Sequence, residues 1–185
     1  QLAVPDEEIT FAAMVPLQVY NSLQVPEEHE RLRCIRHLII GGGAIDERLA
    51  EALHDFPHAV WSTYGMTETL SHIALRRLNG PDASDWYRPF DGVKTRLNSD
   101  GCLVIDAPAV CPGTLVTNDR AELRSYGRQD NATASYFRIL GRKDNVIDSG
   151  GIKIQIEEVE NRLRPRLTGG FAITSCPDEQ FGEAV

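Results

Sequence analysis

The sequence predicts an α/β fold. The end of a parallel-sheet subdomain is followed by a small antiparallel β subdomain and then by the start of a small C-terminal α+β domain. Three features lead there. Residues 35–64 run strand, helix, strand, the order of a parallel layer. After Gly80, short strand-like runs are separated by Gly, Pro, Asn and Asp, as in an antiparallel meander. Past the charged break Gly141-Arg142-Lys143-Asp144, a glycine pair leads into an amphipathic helix.

Taken in order, Thr10 to Leu23 carries scattered apolar positions (Phe11, Met14, Val15, Leu17, Val19, Leu23) and is expected to be a helix interrupted around Pro16. Ile35 to Ile40 reads as a buried strand that enters a tight turn at Gly41-Gly42-Gly43. Asp46 to Phe56 places Leu49, Ala52, Leu53 and Phe56 at helical spacing, with Asp46 as N-cap. Ala59 to Tyr64 is a second strand, broken by Gly65. Strand-like runs follow at Trp86 to Asn98, Cys102 to Ile105, Thr114 to Val116 and Tyr136 to Leu140. Val146 and Ile147 lead to Gly150-Gly151. A helix runs from about Ile156 to Leu163, and Phe171 to Thr174 is a further strand candidate. A domain boundary is expected near Asp144. Residues 1–143 form the larger unit (α/β to about residue 80, β-rich over 81–143), and 144–185 begin a smaller one.

The 185 residues suffice for one domain and part of a second, with 42% hydrophobic and 25% charged residues, a globular balance. A net charge of -8 argues against nucleic acid or an anionic membrane as the main partner. A phosphorylated ligand stays open, because backbone amides and one metal ion hold phosphates without a basic surface. Cys34, Cys102, Cys111 and Cys176 make no Cys-x-x-Cys pair and no zinc set, so reduced thiols in a cytoplasmic protein are expected. No apolar run approaches a membrane span and no signal peptide is visible. Asn131-Ala132-Thr133 reads as a polar loop, and nothing specifies an oligomeric state. The chain starts at Gln1 and stops at Val185 where an apolar run is beginning, so both ends are expected to be cut.

The strongest local signal is Tyr64-Gly65-Met66-Thr67-Glu68-Thr69, just past a strand, where α/β proteins place their ligands. Tyr64 offers a flat face to an aromatic base, and Gly65 a sharp turn. The Thr67 hydroxyl suits a phosphate oxygen, and the Glu68 carboxylate suits Mg2+. The same six residues also suit an ordinary turn with an exposed acid. Gly41-Gly42-Gly43-Ala44 lets backbone lie flat against a ligand, or is simply a tight turn. It has neither the spacing of a dinucleotide fingerprint nor that of a phosphate loop. In Thr117-Asn118-Asp119-Arg120, Asp119 can accept hydrogen bonds from both ribose hydroxyls or close an Asx-turn. Arg142 can reach ribose or phosphate oxygens, or belong to a solvated linker. His72, four residues after Glu68, reads as a ligand contact or as a packed histidine. Ser71 and Arg76 share that ambiguity.

In succession, the glycine turn, Tyr-Gly-x-Thr-Glu, the Thr-x-Asp turn and GRKDNVIDSGGIKIQIEEVE (141–160) resemble the adenylate-forming superfamily of acyl-CoA synthetases, peptide-synthetase adenylation domains and luciferases. The resemblance runs from about Leu32 to Glu183. Ser149-Gly150-Gly151 and YGMTETLSHIALR (64–76) are most similar to the O-succinylbenzoate–CoA ligases of menaquinone biosynthesis.

The resemblance implies a partial adenylate-forming fold and an ATP-dependent carboxylate–CoA ligase acting through an acyl-adenylate. It implies ATP/AMP, Mg2+ and coenzyme A as ligands, and a small carboxylate as substrate. It places Gly42, Gly43 and Ala44 along the adenine with Tyr64 stacked on it. Thr67 falls on the α-phosphate, Glu68 on Mg2+, and Asp119 with Arg142 on the ribose. His72 falls toward the substrate, Asp144 at a hinge, and Gly150 and Gly151 on the pantetheine path. Another acyl- or aryl-CoA synthetase, or a non-catalytic nucleotide-binding module, fits the same motifs. Two departures stand out: Asn118 where most relatives have Gly, and Asp148 where many have Lys. The family's upstream Ser/Thr/Gly-rich pyrophosphate loop and its C-terminal catalytic lysine have no counterpart in the sequence. The 185-residue polypeptide is therefore expected not to adenylate at a useful rate. A pyrophosphate-exchange assay on the purified chain checks this, and robust turnover would contradict it.

Overall fold

The structure is a computed structural model, and it describes residues 8–127, 133–167 and 170–185. Asn131 and Ala132 of the expected polar loop lie outside the described residues. Three sheets form among the described residues.

The first sheet opens differently from expectation. Phe11 to Met14 is extended, not helical. It is β1 (Phe11–Met14), parallel to β2 (His37–Ile40) from Phe11 opposite His37 to Met14 opposite Ile40. Pro16 does not interrupt a helix; it begins one, α1 (Pro16–Leu23). At the first helical position its missing N–H costs nothing. The Val15 N–H is taken by Gln18 Oε1 at 2.9 Å. A second proline-led helix, α2 (Pro26–Arg33), was not legible, because its sequence is polar and buries little beyond Leu32. The helix α3 (Glu47–His54) follows as expected, with Asp46 Oδ1 accepting from the Leu49 N–H at 2.8 Å. Next, β3 (Ala59–Gly65) lies parallel to β2, as expected. Then β4 (His72–Arg77) turns back antiparallel on β3, and β5 (Arg88–Pro89) adds to its far side, giving the order β1-β2-β3-β4-β5. The run from Trp86 to Asn98 is therefore not one strand. It divides at Gly92 (φ +86°) into β5 and β6 (Lys94–Leu97).

The second sheet is antiparallel, as expected, in the order β6-β7-β8-β9 with β7 (Cys102–Asp106), β8 (Thr114–Gly127) and β9 (Thr133–Arg142). The third, β11-β10-β13-β12, contains β10 (Val146–Ser149), β11 (Ile152–Gln155), β12 (Cys176–Asp178) and β13 (Gly182–Ala184). Helix α4 (Ile156–Leu163) spans the expected residues. Phe171 to Thr174 is irregular, not a strand. The Ile173 N–H is taken by the Glu160 carboxylate at 3.0 Å, and strand pairing starts only at Cys176, opposite Ala184.

Two cores result. Val19, Leu32, Leu38, Ile40, Leu53 and Val60 pack the helices on the first sheet. Tyr64, Ile73, Leu103, Ile105 and Phe137 join the first sheet to the second. All four cysteines are free. The capped helix α3 is short, so its cap should carry much of its stability. Asp46→Ala is expected to cost about 1 kcal/mol in urea unfolding. Asp46→Asn, which keeps the cap, should cost much less.

Candidate active site

Strand alternation sends successive residues of β3 to opposite faces of the first sheet. Thr63 opens onto a cleft, and Tyr64 faces the second sheet. The cleft holds about 270 Å3 and is lined by Ala13, Met14, Val15, Gln18, Ile39, Gly41, Gly42, Thr63 and His72. It lies beyond the carboxyl ends of the parallel strands, the usual ligand position in an open α/β sheet. A Cβ on Gly41 would collide with Thr63 Oγ1, and Gly42 has φ +78°. The Gly42 position therefore favours glycine, and a side chain at Gly41 would force the Thr63 hydroxyl to turn away. Gly43 and Ala44 continue the exposed loop. His72 is held at two points. Its Nδ1 lies 3.1 Å from Ser71 Oγ, and its ring meets Phe90 edge-on at 5.3 Å.

A face open to a base is expected of Tyr64, but the residue is only 9% exposed. Its ring packs edge-on against Phe137 at 5.0 Å and is tilted against Tyr87 at 5.8 Å. The cause is the second core, which needs a large ring at this junction. The Tyr64 hydroxyl donates to Asp119 Oδ2 at 2.6 Å. Burial, and then the Asp119 carboxylate, push the Tyr64 pKa well above its usual range, so it stays a neutral donor. Asp119 is set by its own turn. Its N–H donates to Thr117 Oγ1 at 3.1 Å, and that hydroxyl donates to the Leu103 carbonyl at 2.8 Å. Asp119 pairs in register with Arg142 on β9. The Arg142 guanidinium reaches Asp144 Oδ2 at 3.1 Å, and Asn118 Nδ2 reaches the same oxygen at 3.2 Å. The Tyr64–Asp119 and Arg142–Asp144 pairs thus lie side by side, joined by the β8–β9 backbone ladder.

After Tyr64 the chain bulges at Gly65, where a Cβ would lie 2.5 Å from His72 Cα. Thr67–Thr69 is a single 3-10 turn. Thr69 Oγ1 accepts from the Met66 N–H at 3.0 Å and donates to the Ser71 carbonyl at 2.7 Å. Leu70 at φ +60° carries backbone strain rare for a non-glycine residue, and is 81% exposed. The turn leaves Thr67 and Glu68 facing solvent. Among the described residues no group of three or more His, Cys, Asp or Glu gathers to hold a metal ion. A Mg2+ at Glu68 would therefore draw most of its ligands from phosphate and water, the usual arrangement for that ion. Among the described residues no helix is long and apolar enough to cross a membrane.

Gly150 and Gly151 lie apart from the cleft, at the turn between β10 and β11 in the third sheet, with φ +59° and +85°. A Cβ on Gly150 would come within 2.8 Å of Phe181, and the Gly151 N–H donates to Asp148 Oδ1 at 3.0 Å. Asp148 therefore caps this turn. Asp144 sits in the 3-10 turn Lys143–Asn145, which is flanked by the Lys143–Asp100 ion pair at 2.7 Å. Sequence reasoning missed Thr63, Gln18, Tyr87 and Phe137. Alternation along β3 was signal enough for Thr63. Gln18 depended on recognising β1 and the start of α1.

A family model described as AMP-binding enzyme matches residues 2–116. A plipastatin synthase polypeptide of Bacillus subtilis is 26% identical over 220 residues, covering 100% of this chain and 8% of that protein. The 2-succinylbenzoate–CoA ligase of Salmonella typhimurium is 28% identical over 192 residues, covering 94% of this chain and 38% of that one. Among solved structures, the acyl-CoA synthetase (AMP-forming)/AMP-acid ligase II-like protein from Dyadobacter fermentans matches with TM-score 0.66 and 32% identity, covering 98% of this chain and 51% of that chain. The chain spans about half or less of the length of each.

The join between the second and third sheets is testable without a ligand. Glu157 accepts from Asn145 Nδ2 at 2.6 Å, from Gln155 Nε2 at 2.5 Å and from the Arg142 N–H at 3.3 Å. Partial burial pushes the Glu157 pKa up, but these donors outweigh it and hold it below the ordinary 4.5. The stability this contributes is complete above the unfolded-state pKa and is lost as pH falls through the lower folded-state value. Urea melts of wild type and Glu157→Gln should therefore differ at pH 7 and converge in acid.

Proposed function

The chain belongs to the AMP-binding enzyme family, and on that premise we propose that it carries the nucleoside site and hinge of an ATP-dependent carboxylate–CoA ligase, acting on O-succinylbenzoate in menaquinone biosynthesis in the cytoplasm. The observation that carries this reading is the pairing on β3. Thr63 opens onto the cleft of Gly42 and His72, while Tyr64 next to it binds Asp119. One strand end thereby joins an acyl-sized cleft to a carboxylate suited to ribose hydroxyls.

In the proposed first half-reaction the acid's carboxylate oxygen attacks the α-phosphorus of ATP, and pyrophosphate leaves. Gly42, Gly43 and Ala44 border the adenine. Asp119 accepts from the ribose hydroxyls with Arg142 alongside, and the Thr67 hydroxyl donates to the α-phosphate. Mg2+ bound through Glu68 would neutralise charge on the phosphates. In the second half-reaction the CoA thiolate displaces AMP, giving the thioester. Residues from 144 onward turn about Asp144, and the Gly150-Gly151 turn leaves room for the pantetheine arm. Rotation through a few junction residues is an established way to exchange catalytic groups.

The cleft offers Met14, Val15 and Ile39 to an aromatic ring and His72, Gln18 and Thr63 to polar groups. The ring N–H of the imidazole suits an acyl group bearing a second carboxylate. A second reading, activation of an amino acid, is favoured by the match to the plipastatin synthase polypeptide across all of this chain. Calorimetry of the 185-residue chain with sulfamoyladenosine mimics separates the two. The O-succinylbenzoyl mimic should bind more tightly than aminoacyl mimics, and His72→Ala should erase most of that advantage. Asp119→Ala should weaken AMP about tenfold or more, as expected for a lost charge-assisted hydrogen bond. Failure of wild type to bind AMP would refute the nucleoside site.

A further inference from the structure

Two tyrosine hydroxyls cross the junction between the first and second sheets in opposite senses. Tyr64 stands on β3 of the first sheet, and its hydroxyl reaches Asp119 on β8 of the second at 2.6 Å. Tyr87 is bound to the second sheet by backbone. Its N–H donates to the Phe137 carbonyl at 2.7 Å, and its carbonyl accepts from the Phe137 N–H at 3.1 Å. The Tyr87 hydroxyl reaches back to Ser62 Oγ on β3 at 2.8 Å. Ser62 and Tyr64 are two apart on one strand, so both bonds leave the same face of β3, about 7 Å apart. A single bond there would act as a pivot, and two spaced bonds fix the angle. The rings share this geometry. Tyr87 is stacked on Phe137 at 5.4 Å and 19°, Phe137 meets Tyr64 at 5.0 Å, and the Arg76 guanidinium lies 5.2 Å from the Tyr87 ring centre.

We infer that Tyr87 and Ser62 are positioning residues for the ribose-binding carboxylate: their bond sets β3 against β9, and so against its neighbour β8, so that Asp119 keeps its Tyr64 partner and presents its free oxygen to the ribose. The inference rests on the nucleoside-site reading above. Neither residue touches the nucleotide. Their effect therefore falls on recognition of the ribose hydroxyls and leaves the rest of the nucleotide's contacts unchanged. A merely structural role would weaken all nucleotides alike.

The test uses AMP and 2′,3′-dideoxy-AMP, which lacks both ribose hydroxyls, with the 185-residue chain and the variants Tyr87→Phe, Ser62→Ala and their combination. Each single variant should reduce the preference for AMP over 2′,3′-dideoxy-AMP about fivefold, the worth of one hydrogen bond. Binding of 2′,3′-dideoxy-AMP should be unchanged, and the double variant should match either single one, because both remove the same bond. The inference is overturned if the preference stays at the wild-type value in both single variants, or if both nucleotides weaken equally. If wild type binds AMP but shows no preference between the two, the ribose role of Asp119 is wrong. That outcome is distinct from a wild-type preference that Tyr87→Phe leaves intact.

Discussion

The hydrogen bond from the Tyr64 hydroxyl to Asp119, at 2.6 Å, is the constraint on which the rest of the site depends. It joins a residue of the mixed α/β sheet to one of the antiparallel sheet across a core of Phe137, Leu103 and Ile105, each without exposed surface. A bond from a buried phenol to a carboxylate is worth roughly 1.5–3 kcal/mol, and a partner left unpaired costs at least as much. The apolar core sets how far apart the sheets lie, and the phenol sets where the carboxylate stands. Without that anchor Asp119 would be one more acid at a strand turn.

From Asp119 the polar network continues toward the third sheet. Arg142 lies opposite Asp119 and reaches Asp144, while Gln155 Nε2 donates to the Arg142 carbonyl at 3.0 Å. A second link joins α3 to the turn Arg164–Arg166. The Arg164 guanidinium pairs with Asp46 at 3.3 Å, and Arg48 donates to the Arg164 and Leu167 carbonyls. The ion pairs among these contacts are exposed or half-exposed, while the Gln155 side chain is buried. Pairs such as Arg142–Asp144 are worth about 0–1 kcal/mol as a class. The contrast has a functional meaning. The proposed nucleoside site is built on buried bonds, whereas the exposed ion pairs toward the third sheet can be exchanged at small cost. The proposed rotation about Asp144 needs that difference.

The legible parts of the fold were those where one local signal dominates. The β-branched run at Ile35 to Ile40 gave a strand, and the Asp46 cap with Leu49 and Leu53 gave a helix. The turn-separated runs after Gly80 gave an antiparallel sheet. The sequence misled where tertiary context overrides propensity. Phe-Ala-Ala-Met at 11–14 has no strand signature, and it becomes a strand because β2 offers a parallel edge. Phe171 to Thr174 has strand composition and stays irregular, with its Ile173 amide drawn to Glu160. At the site, motifs gave the positions of Tyr64, Asp119 and Arg142 but not their mutual contacts. Tyr87 and Phe137 belong to no motif. They matter through packing between segments 50 residues apart in sequence, as the Tyr87–Phe137 bridge illustrates.

The most direct test of the central claim is a crystal structure of this chain with AMP bound. The ribose hydroxyls should lie within hydrogen-bond distance of Asp119, with the Tyr64–Asp119 bond intact and the adenine beside the Gly42 loop. AMP bound elsewhere, or bound here with Asp119 turned away from the ribose, would contradict it.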